Sequence, residues 1–200
     1  MSPPVERVAA VILAAGEARR YGGPKLLAPL DGRPLLQHVL DAANGSTLAD
    51  VILIVGHAAD EVLAAVRLGR ARAVVNGAYA SGQSSSLQAG LRAASEADAV
   101  IVLLGDQPRV TSALLDTLVE RQRISGAAAV VSSWKARRSP PTLLHRDLWS
   151  ALEALSGDVG AREVLAGRDD VAVLEADERL GSPADVDRPE DLASLSAAKP

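Results

Sequence analysis

The sequence predicts an α/β protein of three layers, a mostly parallel sheet with helices on both faces. Short, nearly continuous apolar runs alternate with segments whose apolar residues recur at helical spacing. Two hundred residues suit one domain, which buries roughly 70% of its extended surface without staples. Hydrophobic residues make up 48% but aromatic ones only 2%, with no Phe, so the core is built from Ala, Val, Leu and Ile. Such small side chains let helices lie close on a sheet.

Val8–Leu13, Val51–Val55, Ala73–Val75, Ala99–Leu104 and Ala128–Val131 read as buried strands. Between them, Pro34–Ala43, Ala59–Arg67, Ser84–Ala94 and Ser112–Arg123 carry apolar residues at helical spacing. Pro34 suits a first helical turn, and Gly45, Gly69 and Gly126 follow helical stretches as stops. Past Ser132 the rhythm changes. Trp134 to Pro141 is basic and proline-containing; Asp147–Leu155 and Gly160–Ala166 are helical; Val171–Leu174 is a further strand. Pro189–Leu195 closes the chain as a helix with Asp187 as N-cap, and Ser194 to Pro200 is expected to fray. The expected organisation is one domain, 1–200: residues 1–132 form a nucleotide-binding half, and 133–193 complete the sheet and wall one side of the crevice.

Composition narrows the function. The chain lacks Cys, which excludes a disulfide framework, thiolate metal sites and a cysteine nucleophile. A net charge of -4 argues against a general nucleic-acid or anionic-membrane surface. The apolar run Val8 to Ala15 is too short to cross a membrane and lacks the flanks of a signal peptide, so a cytoplasmic protein is expected. His38, His57 and His145 lack metal-binding spacing, and none is a strong catalytic candidate.

In parallel sheets the ligand crevice lies beyond the carboxyl ends of the strands, so chemistry is expected in the loops after Leu13, Val55, Val75 and Leu104. The first loop is LAAGEARRYGGPKLL, Leu13 to Leu27. Ala14, Ala15 and Gly16 allow backbone amides to approach a phosphate, Gly22 and Gly23 permit positive φ, and Arg19, Arg20 and Lys25 supply cations. The spacing is neither that of a Walker loop nor that of a dinucleotide fingerprint. LLGDQPRV ends a buried strand in Asp106, a carboxylate suited to a hard cation or, alternatively, to capping the turn before Pro108. Gly82 with Ser84, Ser85 and Ser86 opens a helix, where serines serve as ligand contacts or as ordinary caps. Lys135, Arg137 and Arg138 form a local basic patch that either attracts a phosphate or is a solvated hairpin.

These segments together resemble the MobA-like nucleotidyltransferases, in family order and over nearly the whole chain. Leu13-Ala14-Ala15-Gly16, Arg20, Gly22 and Lys25 fall on the family's first loop, with Ala18 where Ser is usual and Tyr21 where Met is usual. Gly105-Asp106-Gln107-Pro108 resembles its metal motif. Ser182 to Leu192 resembles its carboxyl-terminal acidic segment, which implies that Asp187 joins Asp106 on the metal with Asp185 nearby. Asn76 to Leu91 and Leu155 to Leu165 are similar to segments of the molybdenum cofactor cytidylyltransferases, with Gly77 in place of Pro. Arg138-Ser139-Pro140-Pro141 stands where that subfamily often has Arg-Gly-His-Pro.

The resemblance implies a Rossmann-like fold of the nucleotide-diphospho-sugar transferase type. It implies transfer of CMP from CTP to a phosphate monoester, most closely the molybdopterin cofactor, with Mg²⁺ or Mn²⁺ as the ion. Lys25, Arg20 and Asp106 would be catalytic; Leu13, Ala14, Ala15, Gly16, Gly22, Pro24, Gly82, Ser84, Ser85 and Ser86 would bind the nucleotide. Arg138, Asp158 and Arg162 would face the acceptor, and a molybdoenzyme or its chaperone would receive the product. Pro24 favours CTP over GTP, because guanine's ring N–H and amino donors seek a carboxylate that Pro24 lacks. Three alternatives stay open: a guanylyl or sugar-phosphate nucleotidyltransferase, an NAD(P)H-dependent, nicotine-blue-type oxidoreductase, and a nucleotide-sensing protein without turnover.

Overall fold

The computed structural model describes residues 1–17 and 21–197. Its centre is a seven-stranded sheet. Strand β1 (Val8–Ala14) lies in the middle, pairing in parallel with β4 (Asp50–Val55) on one side and β6 (Ala99–Leu104) on the other. β5 (Arg72–Val75) extends the β4 side in parallel. Beyond β6 come β8 (Arg137–His145), then β7 (Ala129–Trp134) and β9 (Val171–Glu175). β8 runs antiparallel to both its neighbours, whereas β7 and β9 are parallel to each other. A short hairpin, β2 (Pro29–Leu30) and β3 (Arg33–Pro34), stands apart from this sheet.

Alternation along the strands builds two cores. In β1, Ala10, Ile12 and Ala14 face helices α1 (Leu35–Asn44), α2 (Ala59–Ala65) and α4 (Ser112–Ser125) through Leu36, Leu40, Val62, Leu114 and Leu118. Ala9 and Val11 face the other way, towards α3 (Gln83–Ala93), α5 (Trp149–Glu153) and α6 (Ala161–Leu165), meeting Leu87, Leu91, Leu152 and Leu165. The approach of α3 is tight: a β-carbon on Gly90 would overlap Val11 Cγ1, so only glycine admits the helix this close. α7 (Pro189–Ala197) packs Leu195 with Val186, Leu30 and Leu35 in a small third cluster that fastens the carboxyl-terminal segment to the hairpin. Residues 194–197 therefore continue the helix instead of fraying, because Leu195 has an apolar seat; residues 198–200 lie outside the described part.

Of the central sheet, the strand that sequence patterning does not assign is β8, read above as a basic, proline-containing segment or a solvated hairpin. Its prolines explain the difference. The ladder with β6 covers only Thr142 to His145, and the ladder with β7 shifts register between Val131 and Ser133. Pro140 and Pro141 sit at that irregularity, where a missing N–H removes no regular ladder bond. The turn joining β7 to β8 is Lys135-Ala136, both at positive φ (49° and 62°), as a tight hairpin turn requires. Because β8 is antiparallel, its first residues, Arg137 to Ser139, lie at the end of the sheet where β1 and β6 finish. This reversal carries the basic patch to the crevice. Among the described residues no helix is long and apolar enough to cross a membrane.

Candidate active site

Three segments distant in sequence meet beyond the ends of β1 and β6. Lys25 opens a 3-10 turn, Lys25–Leu27, whose backbone is tied by Lys25 N–H to Gly23 O at 2.8 Å and Ala28 N–H to Lys25 O at 3.0 Å. Asp106 follows β6, anchored by Gly105 N–H donating to Leu13 O at 3.0 Å. The segment 181–187 is strapped across residues 106–110: Gly181 bridges Val110, Ser182 N–H donates to Arg109 O at 3.1 Å, and Val186 N–H to Asp106 O at 3.2 Å.

This strap brings Asp187 to the other two. Lys25 Nζ lies 2.6 Å from Asp106 Oδ2 and 3.5 Å from Asp187 Oδ1. Asp185 is beside them; burial pushes its carboxyl up, its own backbone amide opposes this, and the charges of Asp106 and Asp187 add to the rise. Asp191, at the start of α7, accepts from the amides of Asp187 and Arg188 at 2.9 and 2.7 Å, and these bonds hold its own carboxyl below the usual range. Gln107, 2% exposed, ties the site to its surroundings: Nε2 donates to Ser139 Oγ on β8 and to Pro183 O in the strap, each at 3.2 Å.

The donor chemistry suits a hard divalent cation. Asp106 Oδ1 is buried and has no hydrogen-bond partner, although its twin oxygen is engaged by Lys25. An orphaned carboxylate oxygen next to a second carboxylate fits an oxygen-preferring ion that keeps part of its shell for water and phosphate. No group of three or more His, Cys, Asp and Glu residues poised for a metal occurs among the described residues.

Lys25 and Asp106 line the first of two adjoining cavities, and Asp187 lines neither. The first, about 450 Å³, is lined by Leu13, Ala14, Ala15, Gly16, Lys25, Gly82, Ser86 and Asp106, all named from sequence. The second, about 940 Å³, has Arg137, Arg138, Ser139 and Arg162 on its wall. Asp158 and Gln83 border both. Lys25, Asp106 and Asp187 are thus brought together, as are Arg138, Asp158 and Arg162.

Other sequence candidates stand elsewhere. Gly22, at φ +78°, and Pro24 belong to the turn ahead of Lys25 and line neither cavity, and the Pro24 carbonyl accepts from Leu27 N–H at 2.9 Å. The Ser84 hydroxyl donates to Gly157 O at 2.8 Å, and that of Ser85 to Gly82 O at 2.8 Å. Both serines are therefore taken up by the scaffold, as is Asn76, whose Nδ2 donates to Ser85 and Ser86. Arg20, with Ala18 and Arg19, lies outside the described residues. Of the histidines, His57 meets Tyr79 edge-on at 6.0 Å between ring centroids, and buried His145 accepts from Asp147 N–H.

Sequence reasoning gave no role to Glu17, Tyr79 or Gln83, and named Gln107 only as part of the motif that follows β6. Tyr79 and Gln83 line the first cavity, and Glu17 does too. Tyr79 could have been noticed: in a chain with two Tyr, two Trp and no Phe, an aromatic residue in the loop before the serine-rich helix stands out.

A mostly parallel sheet whose strand ends carry a cation between two carboxylates, beside a cavity, is the architecture of an α/β protein that binds a ligand at its strand ends. Comparison with known proteins makes this specific: the chain matches the MobA-like NTP transferase domain over residues 10–181 and belongs to that family, so it is a nucleotidyltransferase. It is 35% identical over 165 residues to nicotine blue oxidoreductase of Paenarthrobacter nicotinovorans, covering 79% of this chain and 81% of that one. It is 37% identical over 115 residues to the bifunctional protein GlmU of Burkholderia orbicola (strain MC0-3), 56% of this chain but only 25% of GlmU. Among solved structures, Rv0371c of Mycobacterium tuberculosis H37Rv in complex with manganese superposes with a TM-score of 0.83 at 29% identity, covering 97% of this chain and 100% of that one.

Proposed function

We propose that the protein transfers CMP from CTP to a phosphate monoester of the pterin cofactor type and releases pyrophosphate. The observation that carries this is Lys25 held between Asp106 and Asp187, with Lys25 and Asp106 lining the smaller of two adjoining cavities. The smaller cavity takes the nucleotide and the larger, arginine-walled one takes the acceptor. An acceptor phosphate oxygen attacks the α-phosphorus, the new P–O bond forms, and the bond from the α-phosphorus to the bridging oxygen breaks as pyrophosphate leaves. A phosphate monoester is already largely ionised at neutral pH, so no general base is needed.

Asp106 and Asp187 would hold Mg²⁺, or Mn²⁺ as in the manganese complex of Rv0371c; when bound, the ion supplies Lewis-acid charge at the reacting phosphate. Lys25 and Arg20 neutralise charge growing on the leaving phosphates. Ala14, Ala15 and Gly16 offer backbone amides, and the Gly82 turn with Ser86 closes the opposite wall. Arg138 and Arg162 receive the acceptor's phosphate, and Asp158 stands between the two substrates. The whole chain acts as one transferase domain in the cytoplasm and delivers its product to a molybdoenzyme or its chaperone.

The test is incubation with each of the four nucleoside triphosphates, Mg²⁺ and pterin cofactor, with detection of pyrophosphate. Pyrophosphate release with CTP is the expected result. Preference for GTP would overturn the choice of base, and no release with any triphosphate would overturn the transferase reaction. The kinship with nicotine blue oxidoreductase supports a second reading, an NAD(P)H-dependent, nicotine-blue-type dye oxidoreductase. Consumption of NAD(P)H on addition of that dye would favour it.

A further inference from the structure

We propose that Lys25 is an exchangeable counter-ion, which keeps the divalent metal off Asp106 and Asp187 until a triphosphate draws its ammonium away. This rests on the metal assignment made above and adds an order of binding to it.

The geometry places one cation where another has to go. Lys25 Nζ touches Asp106 Oδ2 at 2.6 Å and reaches Asp187 Oδ1 at 3.5 Å, so the ammonium spans both carboxylates. A magnesium-type ion sits about 2.0–2.1 Å from each oxygen ligand. Bound to the same pair of carboxylates, it would stand within a few ångströms of the ammonium. Like charges so close repel, most of all on the Asp106 side, where the Lys25 and Asp106 side chains are 11% and 19% exposed; Asp187 is 49% exposed. Asp106 Oδ1, buried and without a hydrogen-bond partner, is a ligand atom that the lysine leaves unused.

The lysine can leave without disturbing the turn. Its backbone is fixed by the hydrogen bonds to Gly23 and Ala28, whereas its charge rides on a flexible four-carbon stem. Lys25 also lines the smaller cavity, so a triphosphate entering there offers the ammonium a more highly charged partner than a carboxylate. Transfer of Lys25 to the phosphates takes its charge away from both carboxylates at the step when the metal is required. A free enzyme built this way binds metal weakly, and nucleotide and metal bind with positive coupling.

Titration of the full-length protein with Mn²⁺, following the free ion by electron paramagnetic resonance, tests this without catalysis. Wild type is expected to bind weakly alone and far more tightly with a non-hydrolysable CTP analogue. Without nucleotide, Lys25→Met should bind Mn²⁺ at least roughly tenfold more tightly than wild type, because the competing charge is gone. Lys25→Arg, which keeps the charge, should stay as weak as wild type, and matched thermal melts confirm that the variants are folded. Equal or weaker binding by folded Lys25→Met, with Asp106→Asn impaired in the nucleotide complex, overturns the counter-ion role and leaves the metal assignment intact. Undiminished binding by Asp106→Asn in the presence of the analogue removes the metal assignment itself.

Discussion

Ser84 grips the carbonyl of Gly157 twice, through its backbone amide at 3.2 Å and its hydroxyl at 2.8 Å. The contact is close enough to exclude any side chain at the neighbouring Gly82, where a β-carbon would overlap the Gly157 carbonyl and lie 2.7 Å from Asp158 N. Gly82 is also at φ +112°, a conformation disfavoured for residues with a β-carbon. The serine-rich helix start and the loop bearing Asp158 are therefore one unit. Gly82→Ala should cost about 1–3 kcal/mol, from backbone strain and overpacking together. It should also raise KM for both substrates, since Asp158 borders both cavities. Urea unfolding checks the first expectation and steady-state kinetics the second; wild-type stability would show that the loop yields freely.

Lys25 offers a kinetic test of the proposed transfer. Lys25→Ala should lower kcat by roughly 10²–10³-fold, the scale of one electrostatic stabiliser removed from a charged transition state. The assay is pyrophosphate release with CTP and Mg²⁺ at saturation. Wild-type turnover would take Lys25 out of the reaction.

Much of the fold is legible in the sequence because parallel strands buried on both faces read as unbroken apolar runs. β1, β4 and β6 are of this kind. β8 is hidden for the opposite reason: Arg137, Arg138, Pro140 and Pro141 give its first half the appearance of a loop, and only its position beside β6 and β7 makes it a strand. The meeting of Lys25 with Asp106 and Asp187 spans 81 and 162 residues. No local pattern encodes such distances, and only the resemblance to a family pointed there. Ser84 and Ser85 show the converse limit. Hydroxyls at a helix start look the same in sequence whether they meet a ligand or, as here, the carbonyls of Gly157 and Gly82.

Gln107 couples the 181–187 strap to Ser139 on the wall of the larger cavity through its bonds to Pro183 O and Ser139 Oγ. Gln107→Leu preserves bulk but leaves both acceptors without this donor in a buried setting, at a cost of about 1–3 kcal/mol. The strap should loosen and Ser139 should shift, so KM for the acceptor is expected to rise severalfold more than KM for the nucleotide. Thermal melts with parallel acceptor and nucleotide titrations check this. Equal changes in the two KM values would mean that Gln107 serves stability alone.

Asp98 ties the start of β1 to β6 and contributes to the acid dependence of stability. Its Oδ2 accepts from the amides of Arg7 and Glu6 at 2.8 and 2.9 Å. The Arg7 amide first, then that of Glu6, holds the carboxyl below the usual aspartate range, against a smaller opposing effect of burial. A carboxyl whose folded value is depressed binds its proton more readily in the unfolded chain. Its stabilisation is thus fully present above the ordinary aspartate range and disappears as pH falls through the lowered folded value. Asp98→Asn should therefore reduce stability near pH 7 by about 1 kcal/mol, a charged hydrogen bond discounted for solvent screening. The gap between variant and wild type should close as the pH is lowered through the acid range. Denaturant unfolding of both proteins from neutral to acid pH measures it, and a gap that persists unchanged in acid would assign the effect to packing in place of charge.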